Sequence, residues 1–429
     1  MKSELFVSHA ARGRLRLLAG VAALLLTLAS CGGYDDNYCG GGCFIGPQPP
    51  VNVPNSIAIA DVNGDGVPDL LVATTLDTGV FNNSGFANVI LGSQSSPGTF
   101  DAGVQYTLTG TNPSGMAVMD LTGSGQLDLI VSNFGSGSIS VFMHGATAGT
   151  FQPAVNIATG GQPNQVVAGD LTGSGANRDL ALADNSASGN AIILVHDAAN
   201  PGQFLAPMML PTNHFTPSVA IGSIGNGKVA VVAATYDSNG NNGAVYVFVE
   251  TSTSPVAFAA PVTFPAGAQP QAVRIADVNG DSLPDLVVAN YGPGTDGTGM
   301  PGVSVLLQSS TTPGTFLAPV SYATPDGAVD VAVGDLNADG RPDIVVASLD
   351  PDFTGGVSVL LQNAAPAQAG TFGTATVYAG MGQPLSVAIA DLNGDGHPDI
   401  AVADGTSATV MLQNASSPGT FANPVLVGH

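Results

Sequence analysis

Four short segments carry the same oxygen-bearing side chains at the same spacing: Asp61-Val-Asn-Gly-Asp-Gly-Val-Pro-Asp69, Asp277-Val-Asn-Gly-Asp-Ser-Leu-Pro-Asp285, Asp335-Leu-Asn-Ala-Asp-Gly-Arg-Pro-Asp343 and Asp391-Leu-Asn-Gly-Asp-Gly-His-Pro-Asp399. Side-chain oxygens fall at loop positions one, three, five and nine, and a backbone carbonyl is available at seven. A chain that offers oxygens at alternate positions and turns sharply at six wraps a cation of calcium's size. Carboxylate, amide and carbonyl oxygens are hard donors suited to Ca2+, and no His or Cys cluster points to zinc. Three carboxylates in one loop repel one another until a cation neutralises them, so loop order is expected to depend on calcium. The expected ligands are Asp61, Asn63, Asp65 and Asp69; Asp277, Asn279, Asp281 and Asp285; Asp335, Asn337, Asp339 and Asp343; and Asp391, Asn393, Asp395 and Asp399.

Two further copies are diluted. One has Asp120, Thr122, Ser124 and Asp128; the other has Asp170, Thr172, Ser174 and Asp179, with one residue inserted. Hydroxyls coordinate more weakly than carboxylates, so these are read as weaker sites, giving about four strong calcium sites and up to two weaker ones. A seventh copy, 222–230, keeps the spacing, loses the acids and puts Lys228 where position seven would lie; it is expected to bind no metal.

Signals for catalysis are thin. There is no Gly-x-Ser-x-Gly elbow, no His-Glu-x-x-His and no phosphate-binding Gly-rich loop ending in Lys-Ser/Thr. His144 and His196 both end the third apolar run of their units, where other copies have Gly92, Glu250, Gln308, Gln362 and Gln413. Such a ring could bind a ligand on a shared rim, or could be strands emerging into solvent. Arg274 stands where other copies have Ala or Val, and would either anchor an anionic ligand or pair with a neighbouring Asp.

The elements that must position these residues recur with them. The motif starts are spaced 50 to 59 residues apart and average 55. A short alternating run such as Ile57-Ala-Ile-Ala60 leads into each loop, and a denser run such as Leu286-Val-Val-Ala289 leaves it. A third run follows, and Gly-Thr-Phe is expected to open a fourth, as in Gly314-Thr-Phe-Leu-Ala-Pro-Val320. Runs this short, β-branched or small and bounded by Gly, Pro or Asn, are strands. Four antiparallel strands at this period make one propeller blade, and seven copies predict an all-β, seven-bladed propeller. Composition agrees: 57 Gly, 30 Pro and no Trp in 429 residues argue for turns and against helix. A formal net charge of -23, with 8 Lys+Arg against 31 Asp+Glu, excludes a nucleic-acid surface. In the six acid-bearing loops stand 16 of the Asp residues, so the acidity is largely local.

The N-terminus reads as an address. Arg12, Arg14 and Arg16 precede an apolar run ending Leu28-Ala-Ser-Cys31, the pattern of an export signal over residues 1–30. The Leu-Ala-Ser-Cys tail resembles the lipobox of bacterial lipoproteins, which implies a lipid-modified Cys31; Gly32 after it leans towards the outer membrane. Residues 31–53, with Cys39 and Cys43 in a Gly-rich stretch, read as a tether. Residues 54–429 resemble the FG-GAP/VCBS-type repeat, the building block of the integrin α-chain propeller and of many bacterial surface proteins. The resemblance implies structural calcium at the four complete loops and leaves activity open, since related propellers serve as adhesins, as lectins or as attachments to enzymes. The expected role is therefore a calcium-stabilised, lipid-anchored cell-envelope module that recognises a protein or glycan through its loops, among them insertions at 238–243 and 292–301. The alternatives are a polysaccharide-acting enzyme of lyase or dehydratase type, using a cleft near His144 or His196, and a non-catalytic envelope scaffold.

Overall fold

The computed structural model describes residues 51–77, 83–175, 178–225, 227–293, 299–312, 314–350, 355–364 and 369–427. The stretches read as an export signal and, up to residue 50, as a tether, with Cys31, Cys39 and Cys43, lie outside the described residues. Within them every regular element is a strand, and the strands form seven antiparallel sheets, as the repeat period predicts. In blade one the strands are Val51–Ala60, Asp69–Asp77, Gly85–Ile90 and Val104–Thr107, hydrogen-bonded in chain order from the axis outwards. Blade four departs: its third strand, Ala244–Thr253, runs on into a hairpin with Val256–Phe258 before Val262–Pro265 completes the sheet.

The core is distributed. Seven clusters of buried apolar side chains each join two neighbouring blades, because every sheet is covered on both faces by the next. One cluster closes the ring: Ile57, Leu70, Val72 and Ile90 of blade one pack against Leu392, Ala401, Ala403 and Val410 of blade seven. Each large apolar side chain buried there contributes about 1.5–3 kcal/mol, so among the described residues closure rests on sheet packing, with no strand exchanged between the first and last blades. Near the axis, Gly334 faces Ile389 of the next blade, and a Cβ on Gly169 would stand 2.5 Å from Ile221. The small residues preceding the loops are thus places where neighbouring inner strands approach.

A β-bulge recurs near the start of the inner strands, skipping Asn55, Ser114 and Gln271 out of the ladder. A bulge re-aims a side chain, and here it aims polar ones across to the next blade. Asn55 Nδ2 donates to the Pro113 carbonyl at 2.8 Å, Ser114 Oγ to Pro163 at 2.9 Å, and Asn164 Nδ2 to Pro217 at 2.9 Å. The circuit continues as Val273 N–H to Ser218 Oγ, Arg274 to Asp330, Val387 N–H to Asp330 Oδ2, and Ile57 N–H to Ser386 Oγ at 3.5 Å across the join. Every blade is tied to the next around the axis.

The Gly-Thr-Phe segment does not open the fourth strand. Its Phe forms a lone bridge to a residue just beyond the third strand, and the outermost strand begins four residues later, at Val104 after Phe100 and at Val320 after Phe316. The ring instead packs edge-on against an aromatic of the preceding blade: Phe151 on Tyr106, Phe316 on Phe264, Phe372 on Tyr322 and Phe421 on Tyr378. The segment is a lock between blades.

Candidate metal centre

In blade one the chain folds around its own carboxylates. Asp61 Oδ1 accepts the N–H groups of Gly64 and Asp65 at 2.7 and 3.1 Å, and its Oδ2 accepts that of Gly66 at 2.8 Å. The Asp65 N–H also donates to Asn63 Oδ1 at 2.9 Å, so the oxygens of positions one and three converge on a single point. Asn63 Nδ2 donates to Asp65 Oδ2 at 3.0 Å. The blade-five and blade-seven loops repeat these bonds at Asp277, Asn279 and Asp281 and at Asp391, Asn393 and Asp395. Blade six keeps three of them, from Asp339 N–H to Asp335 Oδ1 and Asn337 Oδ1 and from Gly340 N–H to Asp335 Oδ2, while Arg341 donates to Asp339 Oδ2 at 2.7 Å. Among the described residues no three His, Cys, Asp or Glu side chains are drawn into a closed cluster.

Position nine has a second task that the spacing alone does not announce. Asp69 is fully buried; its Oδ2 accepts the Val62 N–H at 2.8 Å and its Oδ1 accepts the Gly92 N–H at 2.9 Å. The same pair of bonds recurs at Asp285, Asp343 and Asp399, and also at Asp128 and Asp179 in the diluted loops. This carboxylate staples the loop to the end of the third strand, which explains why it stands even where positions three and five have lost their acids. Burial pushes Asp69, Asp285, Asp343 and Asp399 up to about 6; the backbone N–H groups oppose the rise, and the loop's other two carboxylates add to it.

These residues fit a hard divalent cation. At positions one, three, five and nine of the four complete loops every side chain offers oxygen. A carboxylate oxygen holding one N–H keeps a further lone pair. The mutual repulsion felt at position nine is the charge a cation would neutralise. Positions one, three, five and nine would hold it, and the ion would supply neutralisation and loop order.

The diluted loops are built otherwise. Thr122 Oγ1 lies 3.3 Å from Asp120 Oδ1, and the Thr172 and Ser174 hydroxyls each lie 3.3 Å from Asp170 Oδ1, so these groups turn protons onto the position-one carboxylate. Burial raises Asp120 and Asp170, but the N–H groups of Gly125, Gly123 and Ser124, and of Gly175 and Ser174, outweigh it and hold both below the usual carboxylate range. Ser124 Oγ accepts the Gln126 N–H at 3.2 Å. Arg178, next to the inserted residue of blade three, lays its guanidinium on the blade-two loop, where a Cβ on Gly123 would stand 2.2 Å from Nη2. In blade four, Lys228 Nζ donates to the Glu250 carbonyl at 3.2 Å.

The remaining candidates occupy opposite ends of the ring. His144 Nδ1 lies 2.8 Å from Asp128 Oδ1, and His196 gives its backbone N–H to Asp179 Oδ1, so both histidines sit beneath the loops of the diluted blades. The glutamines at the equivalent position are buried rather than spread on an open rim. Arg274 pairs with Asp330 at 2.6 Å beside the axis. There, at the end where the inner strands begin, a cavity of about 70 Å3 is lined by Asn55, Ser114, Gln165, Gln271, Asp330 and Ser386 among others.

The FG-GAP-like repeat model matches residues 61–131, 224–288, 277–346 and 337–402, more than half of the chain. The unmatched stretch between the first two matches holds the blade-three loop. No match is found among curated proteins. Among solved structures, the hydrazine synthase of Kuenenia stuttgartiensis is similar in fold, with a TM-score of 0.55 and 12% identity over 89% of this chain and 99% of that one. BBS1N, crystallised in complex with ARL6DN, has a TM-score of 0.52 and 10% identity over 87% of this chain and 96% of its own. At such identities the likeness is one of fold. The repeats, the period they keep and the ring they build show that this chain belongs to the FG-GAP-like repeat family.

Proposed function

We propose that the chain is a calcium-stabilised binding module of the bacterial cell envelope, lipid-anchored at Cys31, in the outer membrane, and recognising a protein or glycan partner. The observation that carries this reading is where the propeller varies. Five of the cation-type connections have eight residues between their strands, as at 61–68 and 391–398. At the opposite end, the connections between second and third strands range from four residues (134–137) to eleven (291–301). A rigid frame with one uniform face and one variable face is suited to recognition on the variable side. The axial cavity opens at that same end, and calcium would hold the uniform end in shape.

The test is capture from envelope extracts by the chain lacking residues 1–30, in calcium and in EDTA. It is repeated with a variant in which 291–301 is shortened to four residues. A discrete partner retained in calcium, lost in EDTA and lost with the short loop supports the reading. A calcium-saturated chain that retains nothing, or a short-loop variant that retains the same partner equally, contradicts it. For the anchor, Cys31→Ala is expected to move the full-length product from the detergent phase to the aqueous phase.

A further inference from the structure

The complete loops belong to blades five, six, seven and one, which are neighbours around the ring. Each is covered by the next blade. A glycine from the following Gly-Thr-Phe segment lies against the Asn at loop position three: Gly370 on Asn279, Gly419 on Asn337, Gly98 on Asn393 and Gly149 on Asn63, with ideal Cβ positions 3.0 to 3.4 Å from the Asn Cβ. The corresponding glycines facing the other blades lie elsewhere, Gly202 on Met143 and Gly314 on Ile224. Thus the wall of each complete loop is partly supplied by its neighbour.

One side chain goes further. Gln308 and Gln413 each use Nε2 on the proline carbonyl at position eight of their own loop, Pro284 at 2.6 Å and Pro398 at 2.7 Å, and Oε1 on the N–H of their own segment's glycine. Gln362 divides its two amide hydrogens. One goes to its own loop at Pro342 O, 2.9 Å away, and the other to Val278 O of the blade-five loop at 2.6 Å. Among the described residues it is the one glutamine of the three whose amide joins two loops. Its backbone N–H also donates to Asp343 at 2.8 Å, and its side chain is buried, where both amide hydrogens must be satisfied and the bonds are costly to break.

We propose that Gln362 is a positioning residue that couples the cation loops of blades five and six, so that filling one favours filling the other. This rests on the reading that these loops take a divalent cation. An ion that orders the blade-five loop fixes the Val278 carbonyl, which fixes the Gln362 amide and, through it, the Pro342 carbonyl beside Asp343. The second loop then has less disorder to lose on binding.

The experiment uses the chain from Cys31 onward with loops one and seven silenced by Asp65→Asn and Asp395→Asn, titrated with calcium by calorimetry. The two remaining sites are expected to bind cooperatively, the second ion about 5-fold or more tighter than the first after statistical correction. Gln362→Met is expected to leave two ions bound but independent, within about 2-fold, whereas Gln308→Met keeps the coupling. A parent that binds two ions independently, or coupling that survives Gln362→Met, overturns the proposal and leaves the calcium reading standing. Binding of no ion overturns both. Should Gln362→Met fail to fold, loops five and seven are left as the only pair by Asp65→Asn and Asp339→Asn. Independent binding in that non-neighbouring pair supports the proposal, and equal coupling there contradicts it.

Discussion

Blades five, six, seven and one form one arc of the ring, and blades two, three and four form the other. Both arcs have an inner strand in every blade, inter-blade cores and axial hydrogen bonds, and five of the six blades other than blade four keep the eight-residue connection. The buried Asp at position nine makes the same two backbone bonds in the diluted loops of blades two and three as in the complete ones. The staple therefore stands in six blades whether or not the outer acids do, and blade four forms its sheet without either. Those acids are concentrated on the arc that contains the join between the first and last blades, where the axial tie from Ile57 to Ser386 is 3.5 Å long. Cations there would reinforce the part of the ring where the chain's two ends must find each other.

The largest effect that would separate the arcs is removal of calcium. At a hundredfold excess over Kd, each bound ion contributes about 2.7 kcal/mol, so four sites predict a Tm drop on the order of 10 °C in EDTA. Limited proteolysis should then cut first in the loops of the acidic arc; cutting first at 120–128 or 170–179 would contradict the comparison. Next in size is loss of the staple. Asp128→Ala strands the Leu121 and His144 N–H groups and is expected to cost about 2–4 kcal/mol in urea unfolding, equally with and without calcium. Asp343→Ala should cost the same in EDTA and more in calcium.

A smaller effect would move a blade from one arc towards the other. Thr122→Asn with Ser124→Asp restores the oxygen set in blade two, and Arg178→Ala removes the guanidinium beside Gly123. The triple variant is expected to bind one more calcium than the parent by calorimetry, and to bind it more tightly than the double variant. The smallest effect is within the acidic arc. Arg341 competes with a cation for Asp339, and because the pair is partly exposed it contributes less than about 1 kcal/mol. Arg341→Ala should raise calcium affinity at blade six by roughly 2- to 5-fold, seen as a shift of one site in the titration.

Much of the fold was legible because it repeats. The 55-residue period and the alternation before each loop give blade number and strand order from local pattern alone. The turn that folds positions one, three and five together was legible for the same reason, since these positions are neighbours in the chain. What the pattern could not show are contacts between units. Asn55 reaches the Pro113 carbonyl, and Arg274 meets Asp330, each in the next blade. The Phe of Gly-Thr-Phe looks like a strand opener because an apolar residue after a turn usually is one; its true partner is an aromatic about 45 residues earlier, Tyr106 for Phe151. Likewise, the polar residues ending the third strands look solvent-facing, yet Gln308, Gln362 and Gln413 are buried because carbonyls from loops and neighbours satisfy them.

The most direct measurement is a crystal structure grown in calcium with data collected for the ion's anomalous signal. The account predicts peaks within coordination distance of Asp61, Asp277, Asp335 and Asp391, and none in the loop of blade four. Empty loops in all four complete copies at saturating calcium, or an ion held equally well beside Lys228, would contradict it.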